Sequence, residues 1–402
     1  MTECDRRRFL AGLTGGGLLA AGSGSVTASP AAVAQTTDDG TVWTFDTGDV
    51  IEAAPAVADG TVYVPSNDGL IYALDAEDGE GAWSFETGTK NGSSPTVADG
   101  TVFVGCNDGT VYAIDADGGD ERWSYSTGLA VRSSPTVADG TVYVGSRDDN
   151  LYALDASTGD EVWAFETGDS VRGSPVVAAG IVYFGSRDGT IYAIDAVEGG
   201  EVWTVDTDVS IGTTPAVRDG VVYVGGADET LYALESGTGD EVWTFAADNS
   251  VGSPTVAGDA VYAGTSSDTV YALDVVGGEK KWTVDTGGSV LTAPALIDET
   301  VIVSSGDSLY AIDAVEGDVT WTFETGDTVR SSPATANGIV YAGSWDETVY
   351  AIDPEALLET NDDTTGGPED SDGISGLGML GALASLGGIF YLLFRITDET
   401  DR

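Results

Sequence analysis

The chain has 402 residues, with 67 acidic against 15 basic side chains, two cysteines, no histidine and a formal net charge of −52. Hydrophobic residues still make up 42%, so the acid is a solvated coat on a folded body, and self-repulsion on this scale suits concentrated salt, as in a halophile. No basic surface is large enough to grip nucleic acid by its phosphates, and without histidine there is no Cys/His metal site and no histidine base.

The first segment, 1–34, pairs Arg6-Arg7 with Phe9-Leu10, then runs through a weakly apolar Gly/Ala/Leu stretch to Ala32-Val33-Ala34. This resembles a twin-arginine signal peptide cleaved after Ala34, with no cysteine following the apolar stretch to make it a lipoprotein. Such export carries proteins that have already folded. Cys4 belongs to this leader, so Cys106 stands alone in the body and no internal disulfide forms. It takes the place that Ser146 and Ser186 hold in later repeats and reads as a small strand-end residue. Residues 35–40 read as a short linker.

From 41 to 353 the chain repeats itself. Tryptophan recurs at Trp43, Trp83, Trp123, Trp163, Trp203, Trp243, Trp282 and Trp321, a spacing of 40 with two intervals of 39. A period of this length points to a propeller or solenoid. Within a unit the alternation has period two, with no helical spacing, and predicts four short strands. In the third unit these are Ser-Ser-Pro-Thr-Val-Ala (strand A), Thr-Val-Tyr-Val-Gly-Ser (B), Leu-Tyr-Ala-Leu-Asp-Ala (C) and the segment around Trp163 (D). Asp59-Gly60, Asp99-Gly100, Asp139-Gly140 and Asp219-Gly220 supply the positive φ of two-residue hairpins between A and B. An aspartate marks the B-to-C turn of every unit: Asp68, Asp108, Asp148, Asp188, Asp228, Asp268, Asp307 and Asp346. A ring of eight acids suggests metal sites; the plainer expectation is that each carboxylate accepts its own turn's N–H.

The lead-in to the tryptophans has fixed offsets. Counting back from Trp83 through Trp321, the residue four earlier is always glycine and the residue ten earlier always alanine. The residue eight earlier is aspartate, with Glu235 the one substitute. A small residue, an acid, a tight turn and a large ring read as one blade docking onto the next. Burying an indole removes roughly 150–250 Å² from water, ~4–6 kcal/mol as an upper bound. The Ala-x-Asp-x-x-x-Gly-x-x-x-Trp pattern resembles the tryptophan-docking motif of the PQQ-type β-propeller repeats of quinoprotein alcohol dehydrogenases and BamB-like assembly lipoproteins. The resemblance covers about 41–353 and implies an all-β, eight-bladed propeller. Trp43 has no such lead-in, and the last unit ends at Ala351, Asp353 and Pro354 without a tryptophan. Residues 41–45 are therefore expected to supply the outer strand of the last blade, closing the ring.

Seven arginines lie in the repeats: Arg122, Arg132, Arg147, Arg172, Arg187, Arg218 and Arg330. Arg132, Arg172 and Arg330 share the position just before strand A, nearest the central channel. Arg147 and Arg187 lie in B-to-C turns, as does Trp345, the one tryptophan out of register in the repeats. D-to-A and B-to-C connections emerge on the same face of a propeller, so five arginines gather there with Trp345 as an aromatic anchor. This predicts a site for a carboxylate, a glycan acid or an acidic peptide. The competing expectation is that each arginine pairs with a turn aspartate such as Asp148 or Asp188.

Residues 354–373 read as an acidic tether. Residues 374–394 give 21 uncharged residues, enough to cross a bilayer. Acidic residues precede this span and Arg395 follows it, so the positive-inside rule places the tail 395–402 in the cytoplasm and the repeats outside. Gly378, Gly381 and Gly388 would let two such helices pack closely.

For function the resemblance offers two expectations. A quinoprotein dehydrogenase of alcohols or sugars implies adjacent cysteines near the quinone, calcium ligands and an aspartate base, often in long insertions. Here there is no Cys-Cys pair, no Gly-x-Ser-x-Gly elbow or phosphate-cradling loop, and no insertion in the 40-residue rhythm. The expectation is therefore a non-catalytic, membrane-anchored scaffold outside the cytoplasm, without PQQ or another cofactor, docking envelope proteins, peptides or acidic ligands.

Overall fold

The third repeat shows how a unit folds. In the computed structural model, which describes residues 39–362, its strands are Thr136–Ala138 (A), Thr141–Gly145 (B), Asn150–Asp155 (C) and Glu161–Glu166 (D). They pair antiparallel in that order. Asp139 and Gly140 both take positive φ, 49° and 77°, so the A–B hairpin turns with the hand of the strand twist. Valines and tyrosines alternate along B and C, yet nearly every residue of those strands is buried, because the blade is packed on both faces by its neighbours. Strand A is shorter than the sequence suggested. Pro135 has no N–H to give a ladder, and the Ser134 N–H is taken instead by Ser174 Oγ of the next blade at 2.9 Å.

Eight such four-stranded sheets form, and the last is completed by the first strand of the chain: Thr41–Asp46 pairs with Thr348–Ile352. Inner strands of successive blades meet around the axis. A chain of hydroxyls ties them there, running from Ala54 N–H to Ser94 Oγ, Ser94 N–H to Ser134 Oγ, and on through Ser174, Thr214 and Ser253 at 2.9–3.1 Å.

The indoles lie between blades. Trp123 Nε1 donates to Ala156 O of the following blade at 2.9 Å, and its ring lies against Gly159, where a Cβ would fall 2.7 Å from Cδ2 and Cε3. The same two contacts recur for Trp43 with Ala76 and Gly79, and for Trp83 with Ala116 and Gly119. They recur in turn for Trp163, Trp203, Trp243 and Trp282. The motif thus serves two interfaces at once: its glycine receives the preceding blade's indole, while its tryptophan is given to the next blade. Its alanine sits opposite its own tryptophan across the C–D ladder, as Ala153 does with Trp163.

The eighth interface is built differently. Residues 354–362, expected as the start of a tether, form helix α1 (Pro354–Asp362). Asp353 caps it, Oδ1 accepting the Glu355 N–H at 2.9 Å, with Pro354 in the first turn. Leu357 is 36 residues after Trp321, the same offset as Gly159 from Trp123, and it joins the buried cluster containing Trp321 and Phe323. A leucine side chain here fills the place of the docking glycine.

The ring of turn aspartates is also partly different from expectation. In six blades the carboxylate accepts its own turn's N–H at 2.8–3.2 Å and the hydroxyl of the strand-C tyrosine four residues on. Asp268 and Asp307 stand one place later, at the position of Gly69: their backbone carbonyls accept Thr286 and Thr325 N–H, and their carboxylates accept only the hydroxyls of the next residues, Thr269 and Ser308. In blade 6 the carboxylate comes from the other side: Asp248, in the D-to-A link, accepts Ser267 Oγ and Thr269 Oγ1. In blade 7 the turn is one residue shorter, Ser305 pairing with Ser308. In blade 6 it keeps its length, Thr265 N–H bonding Thr269 O as Ser66 N–H bonds Leu70 O. There Ser267 takes the aspartate's place because the missing residue lies in the link before strand A, a shift that spacing alone does not distinguish from a match.

The leader 1–34, most of linker 35–40, the tether beyond 362, the span 374–394 and the tail 395–402 lie outside the described residues. Among the described residues no helix is long and apolar enough to cross a membrane.

Candidate binding face at the channel mouth

Backbone hydrogen bonds fix which residues share a face. In six blades the B-to-C turn leans on the preceding D-to-A link, among them Asn67 N–H on Val50 O, Arg147 N–H on Ala130 O, Arg187 N–H on Ser170 O and Trp345 N–H on Thr328 O, all at 2.9–3.0 Å. Arg132, Arg172 and Arg330 follow those links directly, so all five arginines and Trp345 belong to one face. Lys90, in the link that receives Asn107 N–H, adds a cation that sequence reading passed over. Arg122 and Arg218 point elsewhere and form ion pairs with Asp115 and Asp219.

The arginines divide into two groups. Arg132, Arg147, Arg172 and Arg187 come from blades 3 and 4 and feel one another. Burial, then the guanidinium groups of Arg187, Arg147 and Arg132, push Arg172 below its usual basicity, against a pull from Asp169. Arg330 lies in blade 8, opposite blade 4, with its Cζ 4.5 Å from the centre of the Trp345 ring.

None of the five is in an ion pair; among the described residues, the ion pairs are made by Arg122, Arg218 and Lys281. Asp148 and Asp188 are engaged by turn N–H groups and the hydroxyls of Tyr152 and Tyr192. Their second oxygens also accept Gly128 and Gly168 N–H across the blade boundary. Arg132 Nε instead donates to Asn107 Oδ1 at 3.1 Å, and Arg187 Nε reaches Ser210 Oγ at 3.4 Å. Arg172 Nε is buried with no partner.

Other buried polar atoms without partners share this side of the molecule: Asn67 Oδ1 and Nδ2, Thr292 Oγ1 and Trp345 Nε1. Asn67 occupies in blade 1 the turn position of Asn107 in blade 2. Asn107 is satisfied by Arg132 of the following blade, but the residue at that place for Asn67 is Gly92. Aligning turn positions within the repeat would have found this; composition and motifs do not.

Cys106 is buried, with Sγ 3.0 Å from Asn91 Oδ1, and burial raises its pKa far above the usual thiol range. It is no nucleophile. Among the described residues no group of three or more His, Cys, Asp or Glu side chains converges to hold a metal ion.

The repeat matches a known family. The model for the outer membrane protein assembly factor BamB, a PQQ-type repeat model, matches residues 23–164, 107–210, 187–303 and 292–360. The chain belongs to the BamB-type family of PQQ-like propeller repeats. Solved structures share its fold at low identity. BamB from Moraxella catarrhalis is 22% identical with a TM-score of 0.69, over 77% of this chain and 98% of that one. The computationally designed Ika8 protein is 20% identical with a TM-score of 0.70, over 76% and 97%. Quinohemoprotein alcohol dehydrogenase from Comamonas testosteroni is 16% identical with a TM-score of 0.64, over 78% and 76%. These establish the propeller and nothing narrower. Comparison with curated protein sequences gives no match. Within this BamB-type propeller, the arginine face is a property of blades 3, 4 and 8, not of the repeat.

Proposed function

We propose that this BamB-type propeller is a non-catalytic scaffold, exported by its twin-arginine leader and held to a membrane by residues 374–394, whose channel-mouth face docks an anionic partner. The observation that carries this reading is the cluster of Arg132, Arg147, Arg172 and Arg187. Like charges set side by side repel, and a chain of net charge −52 has carboxylates to spare for pairing them, yet these stay unpaired. Such a cluster is stabilised when a ligand brings the missing anions. The partner class is a carboxylate-bearing envelope protein, peptide or surface ligand.

A structural likeness to a quinohemoprotein alcohol dehydrogenase keeps a PQQ-dependent enzyme in view. The donor set does not fit it. The six in-register turn carboxylates are committed to N–H groups and tyrosine hydroxyls, and no carboxylate cluster remains among the described residues to hold calcium beside a quinone.

The test uses the complete protein in native membranes kept in salt. Proximity labelling and pull-down with the unchanged chain should capture an acidic partner. Arg132→Glu with Arg172→Glu should abolish that capture while leaving the unfolding midpoint in place; capture that persists refutes the arginine face. Reconstitution with PQQ and calcium should give no dye reduction with alcohols or sugars, and turnover would refute the non-catalytic reading.

A further inference from the structure

Asn67 is 6% exposed, and both ends of its amide lack a partner. An unsatisfied buried amide costs free energy that folding normally avoids. The repeat shows what is missing: in blade 2 the equivalent Asn107 receives Arg132 Nε, whereas Gly92 sends nothing toward Asn67. A Cβ on Gly92 would touch Arg132 Cγ and Asn107 Oδ1 at 3.5 Å, so the neighbours of this backbone are the satisfied pair of the next blade. On the other side of the link 47–52 stands Trp345, whose Nε1 is a second orphan donor, and Thr292 Oγ1 is a third unpaired group in blade 7. The link itself joins the two turns: Ile51 N–H bonds Ser344 O, and Asn67 N–H bonds Val50 O.

These orphans differ from the arginines in kind. A guanidinium seeks an anion; an indole N–H, and an amide offering both donor and acceptor, match a neutral C=O and N–H. Resting on the anionic-partner reading above, we propose that blades 7, 8 and 1 form an amide-reading subsite and that the docked partner is an extended acidic peptide. Its peptide units pair with Asn67 and Trp345 on one side of the mouth. Its carboxylates meet Arg132, Arg147, Arg172 and Arg187 on the other side. In the free protein the orphan atoms are covered, and at Trp345 part of the cover is the Arg330 guanidinium over the ring. The peptide displaces that cover, and Arg330 then turns to a carboxylate.

The test compares three probes on the complete protein by calorimetry or anisotropy: a blocked hexaglutamate, an acrylate hexamer carrying similar charge without amides, and a hyaluronate oligosaccharide. Hexaglutamate should bind about tenfold tighter than the acrylate, the scale of one or two buried hydrogen bonds. Asn67→Leu should remove most of that advantage and leave acrylate binding unchanged, and Trp345→Phe, which keeps a ring but loses the N–H, should weaken hexaglutamate more than acrylate. Asn67→Leu should not lower the unfolding midpoint, since it removes an uncompensated polar burial. Equal binding of hexaglutamate and acrylate, both lost in the Arg132/Arg172 double variant, would overturn the amide subsite while sparing the arginine face. Binding unaffected by the double variant, or no binding of either probe, would overturn the arginine face itself. Tighter, Asn67-dependent binding of hyaluronate would assign the subsite to a glycan amide and overturn the peptide.

Discussion

Replacing Gly159 with alanine tests whether the blades are latched by indole on glycine. Gly159 has φ +76°, and a Cβ there would lie 2.7 Å from two ring atoms of Trp123. Gly140 is the matched control: φ is +77°, and a Cβ added there would meet nothing within 4 Å. Alanine at either site carries the left-handed backbone penalty, ~1–2 kcal/mol. Only Gly159→Ala must also push the indole back, ~1–3 kcal/mol, and loosen the Trp123 Nε1 bond to Ala156 O, ~0.5–1.5 kcal/mol. The two variants should therefore differ by about 1.5–4.5 kcal/mol in urea unfolding followed by tryptophan fluorescence and far-UV circular dichroism. Trp123→Phe placed on Gly159→Ala should recover part of the loss, because the smaller ring clears the methyl. Equal destabilisation of the Gly159 and Gly140 variants would refute the latch.

Leu357→Ala should cost about 2–5 kcal/mol, as for a large core side chain, and hydrogen exchange should show the loss first in strand Val319–Glu324 and in α1. Protection unchanged there would mean that α1 does not close the last interface. Alkaline pH should unfold the propeller. Burial pushes Tyr341 up to about 12, and burial together with Asp346 and Asp188 does the same for Tyr350 and Tyr192. An unfolded tyrosine ionises near 10, so the unfolded chain loses these protons first. Their contribution is intact below about pH 10 and is lost as pH rises through 12. With only three lysines in the chain, thermal midpoints between about pH 8 and pH 11.5 report mainly these phenols, and Tyr350→Phe should flatten the curve; a midpoint that holds steady would contradict the assignment.

Blade count, strand order and closure were legible because each rests on a local pattern repeated eight times, so one exception does not blur the rest. What spacing concealed were substitutions of role. Asp268 and Asp307 look like members of the aspartate ring, but a residue missing before strand A in blade 6 and a shorter turn in blade 7 put each one place late, and only the ladder register reveals it. Leu357 carries no motif, yet it stands at the glycine's offset and meets Trp321. The arginines were visible as a departure from an acidic composition, and their grouping on one face followed from propeller connectivity. Their lack of carboxylate partners was not readable, because it depends on Tyr152 and Tyr192 occupying Asp148 and Asp188. Asn67 was invisible for a related reason: its isolation is caused by a glycine in the neighbouring blade.

Closing the ring with the first strand also decides where the chain enters and leaves. Thr41 pairs with Ile352, while Asp46, at the other end of that strand, pairs with Thr348 beside the Trp345 turn. Gly40 O accepts the Asp353 N–H at 2.9 Å, so both ends of the propeller depart from one corner, a strand's length (about 17–20 Å) from the arginine-bearing side. The two junctions, Gly40 and Asp353, thus share the end of the blade remote from the Trp345 turn, and a label joined at either junction starts on the side away from the arginines.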